Sequence, residues 1–197
     1  MSTATKLNLI SVDEYLAGEL ASPTKHEYLG GVVYAMAGAR NVHNVIAGNT
    51  YVGLHVRLRG RPCRPFNSDT KIRIQFPGYV RFYYPDASVT CHPNPATDSF
   101  QDEPAAIFEV LSRATRRLDD GEKKDAYQTI PSLAVYLLIE QDTAAVVVYR
   151  RGKDGFEREA YQGLSAVIPL PEIGIDLPLT EIYETVEFHP EPEDERG

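Results

Sequence analysis

Hydrophobic positions recur along the chain with two periods, one typical of helices and one typical of strands. Ser11 and Glu14 have the Ser-x-x-Glu spacing of a capping box, which predicts a short helix to about Glu19. Apolar residues at helical intervals predict a longer helix over Asn41–Arg59, with Gly60 as its stop. The sequence therefore predicts one short and one longer helix before Gly60.

Shorter segments have the two-residue period of strands. Residues His26–Met36 carry two glycines between β-branched and aromatic residues, which predicts a β-hairpin. Ala105–Leu111 is continuously apolar except for Glu109, as expected of a strand covered on both faces. The other predicted elements are strands at Lys71–Phe76 and Val80–Val89, a loop at Cys91–Pro104, a helix at Thr115–Thr129, strands at Ala134–Ile139 and Ala144–Tyr149, and further short strands before Leu177, then a short helix from Thr180.

This mixture of helices and strands predicts an α/β (α+β) fold. The 197 residues, 43% of them hydrophobic, suffice for one well-buried domain. We expect that domain to cover residues 1–188, followed by an acidic, disordered tail at 189–197. No segment approaches the roughly 20 apolar residues that span a bilayer, and the N-terminus lacks the order of a signal peptide. The sequence thus predicts a soluble, cytoplasmic protein with no membrane partner.

Charge and cysteine content narrow the function classes. The net charge of -8 opposes a large basic DNA-binding surface, but it allows an enzyme that binds weakly through a small basic patch and a metal. Cys63 and Cys91 lie in unrelated contexts without zinc-site spacing, so we expect two free thiols. The arginines at 57, 59, 61 and 64 form either a phosphate-facing surface or a solvated helix end.

Acidic residues in apolar surroundings give the first chemical signal. Burying an unpaired carboxylate costs several kcal/mol, so Glu109 requires a partner: a metal, a lysine, a buried salt bridge or a strand end that reaches solvent. Asp86, after Tyr84-Pro85, is either a second site carboxylate or a solvated turn acid. Asp119, Lys123 and Tyr127 follow at helical spacing, which also suits an ordinary surface ion pair.

Taken in order, these residues resemble a known family. The resemblance is to the Uma-two family of bacterial endonucleases, in the PD-(D/E)xK, restriction-endonuclease-like superfamily. It covers the chain from about Ser11 to Phe188. The matching residues are Lys25-His26-Glu27, Gly31, His43, Tyr84-Pro85-Asp86, Glu109-Val110-Leu111-Ser112, Thr115, Asp119, Lys123 and Tyr127.

The resemblance implies a restriction-endonuclease-like mixed β-sheet flanked by helices, here with additional β-hairpins. It implies that Asp86 and Glu109 hold Mg²⁺ or Mn²⁺, to which we add the backbone carbonyl of Val110 as a third ligand. The superfamily's lysine normally stands two residues after the acid, but that position is Leu111 here. The matching lysine is Lys123, from the following helix, beside the attacking water.

Other residues have expected roles that are less specific. Glu27 is either a third catalytic carboxylate or an exposed hairpin acid. His43 is either a phosphate contact or proton relay, or a structural histidine. Arg113 and Arg116 are expected to flank the substrate cleft, and Asp119 and Tyr127 to support the site.

Three functions compete at this point. The leading one is a Mg²⁺-dependent endonuclease that hydrolyses DNA, and the superfamily implies a homodimer because one such site cuts one strand. The second is a catalytically silent, nuclease-like nucleic-acid-binding or regulatory module, which the acidic charge suits. The third uses the same carboxylates as a glycosidase acid and base, but the chain has no tryptophan to stack on sugars.

Overall fold

The computed structural model describes residues 9–112 and 115–188. It begins with helix α1, Val12–Ala21, whose first turn carries the predicted capping box. The Ser11 Oγ accepts from the Glu14 backbone N–H at 3.2 Å, and Glu14 Oε2 accepts from the Ser11 N–H at 2.8 Å. These reciprocal bonds satisfy donors that a helix start leaves free.

Five strands form the first sheet, in the order β2-β1-β5-β4-β7. The predicted hairpin is confirmed as β1 against β2, and Gly31 in its turn has a φ of 101°. A Cβ at Gly31 would lie 2.8 Å from the Leu9 side chain, so only glycine fits there. The strands are β1 His26–Leu29, β2 Val32–Ala35, β4 Lys71–Phe76, β5 Tyr79–Tyr83 and β7 Phe100–Gln101.

Six strands form the second sheet, in the order β11-β10-β9-β8-β6-β3. The sheet is mixed, because β8 runs parallel to β9 but antiparallel to β6. Its strands are β3 Arg64–Asn67, β6 Ala87–Thr90, β8 Pro104–Leu111, β9 Val135–Glu140, β10 Ala145–Gly152 and β11 Gly155–Gln162. A separate hairpin pairs β12 Val167–Leu170 with β13 Ile175–Pro178. The α+β prediction, with a mixed sheet and extra hairpins, is confirmed.

Helices cover both faces of the second sheet. The elements are α2 Asn41–Leu58, α3 Arg116–Leu118, a π-helical turn Asp119–Lys123, α4 Lys124–Gln128 and α5 Leu179–Ile182. Along β8, Phe108 and Val110 pack in one core with α2, whereas Ile107 and Leu111 pack in another with Tyr127. Since strand side chains alternate, Glu109 shares the face of Ile107 and Leu111. None of the helices in the described ranges is long and apolar enough to cross a membrane.

Two predicted elements are interrupted, and both interruptions lie at the candidate site. The strand expected over Val80–Val89 breaks at Tyr84-Pro85-Asp86, so that β5 and β6 belong to different sheets. Proline lacks the N–H that a continuous ladder needs. The helix expected over Thr115–Thr129 is kinked at Gly121, whose φ of -129° and ψ of -107° are not helical. Both breaks turn acidic side chains toward one place.

The expectation of two free thiols is wrong, because Cys63 and Cys91 form a disulfide. Cys63 directly precedes β3 and Cys91 directly follows β6, and the antiparallel register pairs Arg64 with Thr90. The cysteines therefore stand opposite each other at the end of this ladder. The two cysteines are 28 residues apart in the sequence, and the pairing of β3 with β6 brings them together. The predicted tail at 189–197 lies outside the described residues.

Candidate active site

The break between β5 and β6 places two carboxylates side by side. Asp86 Oδ2 accepts from the backbone N–H of Val110 at 2.7 Å, and the backbone N–H of Asp86 lies 3.4 Å from Glu109 Oε2. Each acid is thus held by the other strand's main chain. This reciprocal arrangement follows from the β6–β8 pairing, in which Ala87 lies opposite Phe108.

Glu109 is buried, with 4% of its surface exposed, and its Oε1 has no hydrogen-bond partner within the described part of the chain. Burial raises the pKa of Glu109 well above its ordinary value, and Asp119 and Asp86 raise it further. Lys123 opposes this shift without overcoming it. An oxygen with such an orphaned lone pair is suited to accept a cation.

Lys123 is buried as well, and it is the cation at the centre of the site. Its Nζ lies 2.7 Å from Glu27 Oε1, 3.6 Å from Asp119 Oδ1 and 5.5 Å from the centroid of the Tyr83 ring. Burial alone would lower the pKa of Lys123, but three surrounding carboxylates outweigh it and raise the pKa. The surrounding carboxylates therefore favour the ammonium form of Lys123.

The acids outnumber the cations in this cluster. The cluster contains four carboxylates, from Glu27, Asp86, Glu109 and Asp119. Within the described residues, Lys123 is the lysine that faces them. Burial also raises the pKa of Asp119 despite the attraction of Lys123. A buried excess of negative charge is unfavourable unless protons or a cation compensate it. The residues therefore fit a divalent cation.

The number of ligands is small. Within residues 9–112 and 115–188, no three His, Cys, Asp or Glu side chains converge as a metal-binding group. Mg²⁺ nevertheless keeps several waters and is often bound by one or two carboxylates together with substrate phosphate. Asp86 and Glu109 meet that requirement.

His43 faces this pair from helix α2. Its Nε2 lies 3.2 Å from Asp86 Oδ2, and its Nδ1 has no hydrogen-bond partner within the described residues. Burial lowers the pKa of His43, but the interactions with its neighbours, chiefly Asp86, outweigh burial, so the pKa is raised. The histidine expected near the start of this helix thus contacts Asp86.

The supporting residues have different surroundings. Tyr127 is fully buried between the rings of Tyr83 and Tyr136, at centroid distances of 5.6 and 5.7 Å. The hydroxyl of Tyr136 donates to the Asp119 carbonyl at 2.8 Å. Tyr136 was not expected in the site, and its position on a core strand gives no signal for it. Glu27 is 7% exposed, so the alternative of an exposed hairpin acid is wrong.

The arginines expected at the cleft are less available. Arg116 pairs with Glu140 at the end of β9, with Nη1 2.7 Å from Oε1, and Arg113 lies outside the described residues. In the basic cluster, Arg57 forms a bidentate ion pair with Glu181 at 2.6 Å. Arg61 donates to the Gly174 carbonyl. Much of the predicted basic surface is therefore occupied by intramolecular contacts.

Comparison with known proteins identifies the family and the fold. Residues 12–180 match the model of a family named Uma2 and described as "Putative restriction endonuclease". Two relatives from Synechocystis sp. PCC 6803 are uncharacterized proteins. Protein slr1290 is 33% identical over 91% of this chain and 94% of its own length, and sll1609 is 31% identical over 78% and 88%.

A solved structure shows the same fold. It is a crystal structure from Anabaena variabilis ATCC 29413, described as "a putative nuclease belonging to DUF820". It is 19% identical, covers 88% of this chain and 97% of its own, and has a TM-score of 0.69. The family match spans most of the chain, and both interrupted elements that build the acidic cluster lie within it. The chain is therefore a member of the Uma2 family.

Proposed function

We propose that this protein is an endonuclease that hydrolyses DNA phosphodiester bonds with Mg²⁺ or Mn²⁺. The observation that carries the proposal is Glu109, a buried carboxylate with an unpartnered oxygen beside Asp86 and Lys123. The family's description as a restriction endonuclease supports the same reaction class. Asp86 and Glu109 would hold the metal, together with the backbone carbonyl of Val110.

The residues divide the chemistry among them. When bound, the metal would supply Lewis-acid polarisation of the phosphate and would lower the pKa of water. Lys123, fixed as an ammonium, offsets the negative charge that builds on the phosphate during attack. Glu27, 2.7 Å from the lysine, keeps that ammonium in place and can orient a water.

His43 contributes a proton-carrying group on the α2 side of the site. Its imidazole is held by Asp86, and its raised pKa keeps a larger fraction protonated near neutral pH than for a free histidine. The ring can donate a hydrogen bond to a phosphate oxygen. Arg116 completes the proposed cleft by exchanging Glu140 for phosphate, and a substrate contact by Arg113 stays a prediction.

The proposed partner is DNA, bound weakly. The net charge is -8, and several arginines are engaged in ion pairs, which reduces the number of cations that can neutralise phosphates. A shallow dependence of binding on salt is therefore expected. A double-strand cut requires two such sites, so we expect a homodimer in solution, which sedimentation velocity measures directly.

Plasmid cleavage in Mg²⁺ or Mn²⁺ tests the proposal. Asp86→Asn, Glu109→Gln and Lys123→Met should each abolish nicking, while the matched control Asp125→Asn, an exposed acid on α4, should retain it. Cleavage that persists in Glu109→Gln would refute the proposed role of Glu109 in a metal-dependent nuclease. A wild-type protein that neither cuts DNA nor binds Mn²⁺ by calorimetry would instead favour a silent nucleic-acid-binding or regulatory module.

A further inference from the structure

A cavity of about 790 Å³ lies next to the candidate active site. The Tyr84 ring lines it, two residues before Asp86, so cavity and site share one short segment. Its volume is within the range of small-molecule sites. Apolar side chains form much of the wall, including Leu20, Pro23, Phe66, Pro93 and Pro95.

Lys71, the first residue of β4, lines this cavity and is 4% exposed. Its Nζ lies 5.2 Å from the centroid of the Tyr84 ring, and the Lys25 Nζ lies 5.7 Å from the same centroid. Across residues 9–112 and 115–188, no side chain forms an ion pair or hydrogen bond with Lys71. A buried ammonium without such a partner is costly.

The nearest acid does not remove this cost. Glu19 raises the pKa of Lys71, but burial has the larger effect and lowers it. The Glu19 carboxylate is already occupied, since Oε1 accepts from the Tyr84 hydroxyl and the His26 N–H, both at 2.8 Å. Its Oε2 lies 3.0 Å from the His26 ring.

A second cation lines the same cavity. Arg64, on β3, is exposed and has no ion pair within the described chain. Lys25 differs, because its Nζ lies 2.6 Å from Asp69. The cavity thus combines an apolar wall with two cations that have no ion pair in the described chain. The carboxylates of Glu19, Asp69 and Asp98 also line it, and each is already engaged, with Tyr84, Lys25 and Asn94 respectively.

We propose that this cavity binds a phosphomonoester, with its phosphate between Lys71 and Arg64 and its organic group along the apolar wall. A phosphomonoester carries a charge of about -1.5 to -2 at neutral pH, which matches two cations. A carboxylate or a phosphodiester carries only one.

A free nucleotide and the phosphorylated end of a DNA strand both offer this group. The proposal does not depend on catalysis, so binding is measured in EDTA, where cleavage by the proposed metal site cannot occur. The probes are inorganic phosphate, thymidine 5′-monophosphate, thymidine, and one oligonucleotide with and without a 5′-phosphate. The readout is isothermal titration calorimetry.

Thymidine 5′-monophosphate or the 5′-phosphorylated oligonucleotide should bind, and their unphosphorylated counterparts should not. Loss of one charge-assisted hydrogen bond predicts affinity weakened about ten- to hundredfold in Lys71→Met or Arg64→Gln. The matched control Lys153→Met, in the exposed β10–β11 turn, should bind as the wild type. Stronger binding of the nucleotide identifies a free ligand, and stronger binding of the oligonucleotide identifies a strand end.

Two results would overturn the proposal: no binding of any phosphorylated probe, or equal weakening in Lys153→Met. Stability without ligand provides a further check. Because Lys71→Met removes a buried, uncompensated charge, its thermal midpoint should equal or exceed that of the wild type. A lower midpoint would show that Lys71 stabilises the fold rather than serving a ligand. Arg64→Gln, at an exposed position, tests binding without that complication.

Discussion

Replacing Glu109 by glutamine should abolish cleavage and yet stabilise the metal-free protein. The substitution keeps the shape of the side chain and removes a buried charge whose Oε1 has no partner in the described chain. Desolvation raises the pKa of Glu109 well above its ordinary value, which means that the ionised form opposes folding. Under the proposed function, Glu109 is retained to bind a cation, at a cost in stability.

The size of the effect depends on whether Lys123 keeps its partners. The Lys123 Nζ lies 2.7 Å from Glu27 and 3.6 Å from Asp119. At an effective dielectric constant of 20, the attraction is about 6 kcal/mol for the Glu27 pair and about 5 kcal/mol for the Asp119 pair. Glutamine at 109 removes the attraction between Glu109 and Lys123, but Glu27 and Asp119 still pair the lysine. We expect the free energy of unfolding to rise by about 1–3 kcal/mol. Lys123→Met, which leaves the carboxylates without their cation, should lower it by about 3–5 kcal/mol.

Urea denaturation at neutral pH measures both changes. In EDTA, Glu109→Gln should unfold at higher urea than the wild type, with the same m-value. In Mg²⁺ at 100 times its Kd, the wild type should gain about 2.7 kcal/mol, and the variant should gain much less. A Glu109→Gln protein that is less stable than the wild type in EDTA would refute the reasoning. So would an equal gain from Mg²⁺.

Further predictions concern the disulfide, a surface ion pair and a buried hydroxyl. Removing the Cys63–Cys91 bond, which closes a separation of 28 residues, by a double serine substitution should cost about 3–4 kcal/mol in urea denaturation. Thiol titration of the unreduced, denatured wild type should find no free thiol, and two free thiols would contradict the bond. Arg57 lowers the pKa of Glu181, so this pair stabilises the fold above pH 4.5 and loses that effect as pH falls through the lowered value. Glu181→Gln should therefore lower the free energy of unfolding by about 0.2–1 kcal/mol at pH 7 and should have no effect below the lowered pKa of Glu181. Denaturation at several pH values measures this difference. Tyr127→Phe removes a buried hydroxyl without a partner in the described chain, so stability should stay equal or rise by about 1 kcal/mol. Plasmid cleavage by that variant should be unchanged, and its loss would show that the hydroxyl acts in the site.

Periodicity alone located many of the elements. The capping box at Ser11, the hairpin around Gly31 and the fully apolar strand around Glu109 are local patterns, and each is present in the structure. The paired cysteines and the tyrosines around Tyr127 depend on contacts distant in sequence, which no local pattern encodes. The kink at Gly121 interrupts a helix that the sequence predicts as continuous over Thr115–Thr129.

The sequence determined that Glu109 would be buried, because an apolar strand carries its residues into the core whatever their charge. The resemblance to the Uma-two family also identified Lys123 as a candidate partner of Glu109. Tertiary structure decided the rest: the break at Pro85 sends Asp86 toward Glu109, and the kink at Gly121 lies within the turn that presents Lys123. The burial of Lys71 at the cavity wall was also decided by the tertiary structure. The alternating pattern of its strand predicts which side chains share a face, but not which residues of other segments surround them. Charge balance in a buried site is a sum over segments that only folding brings together.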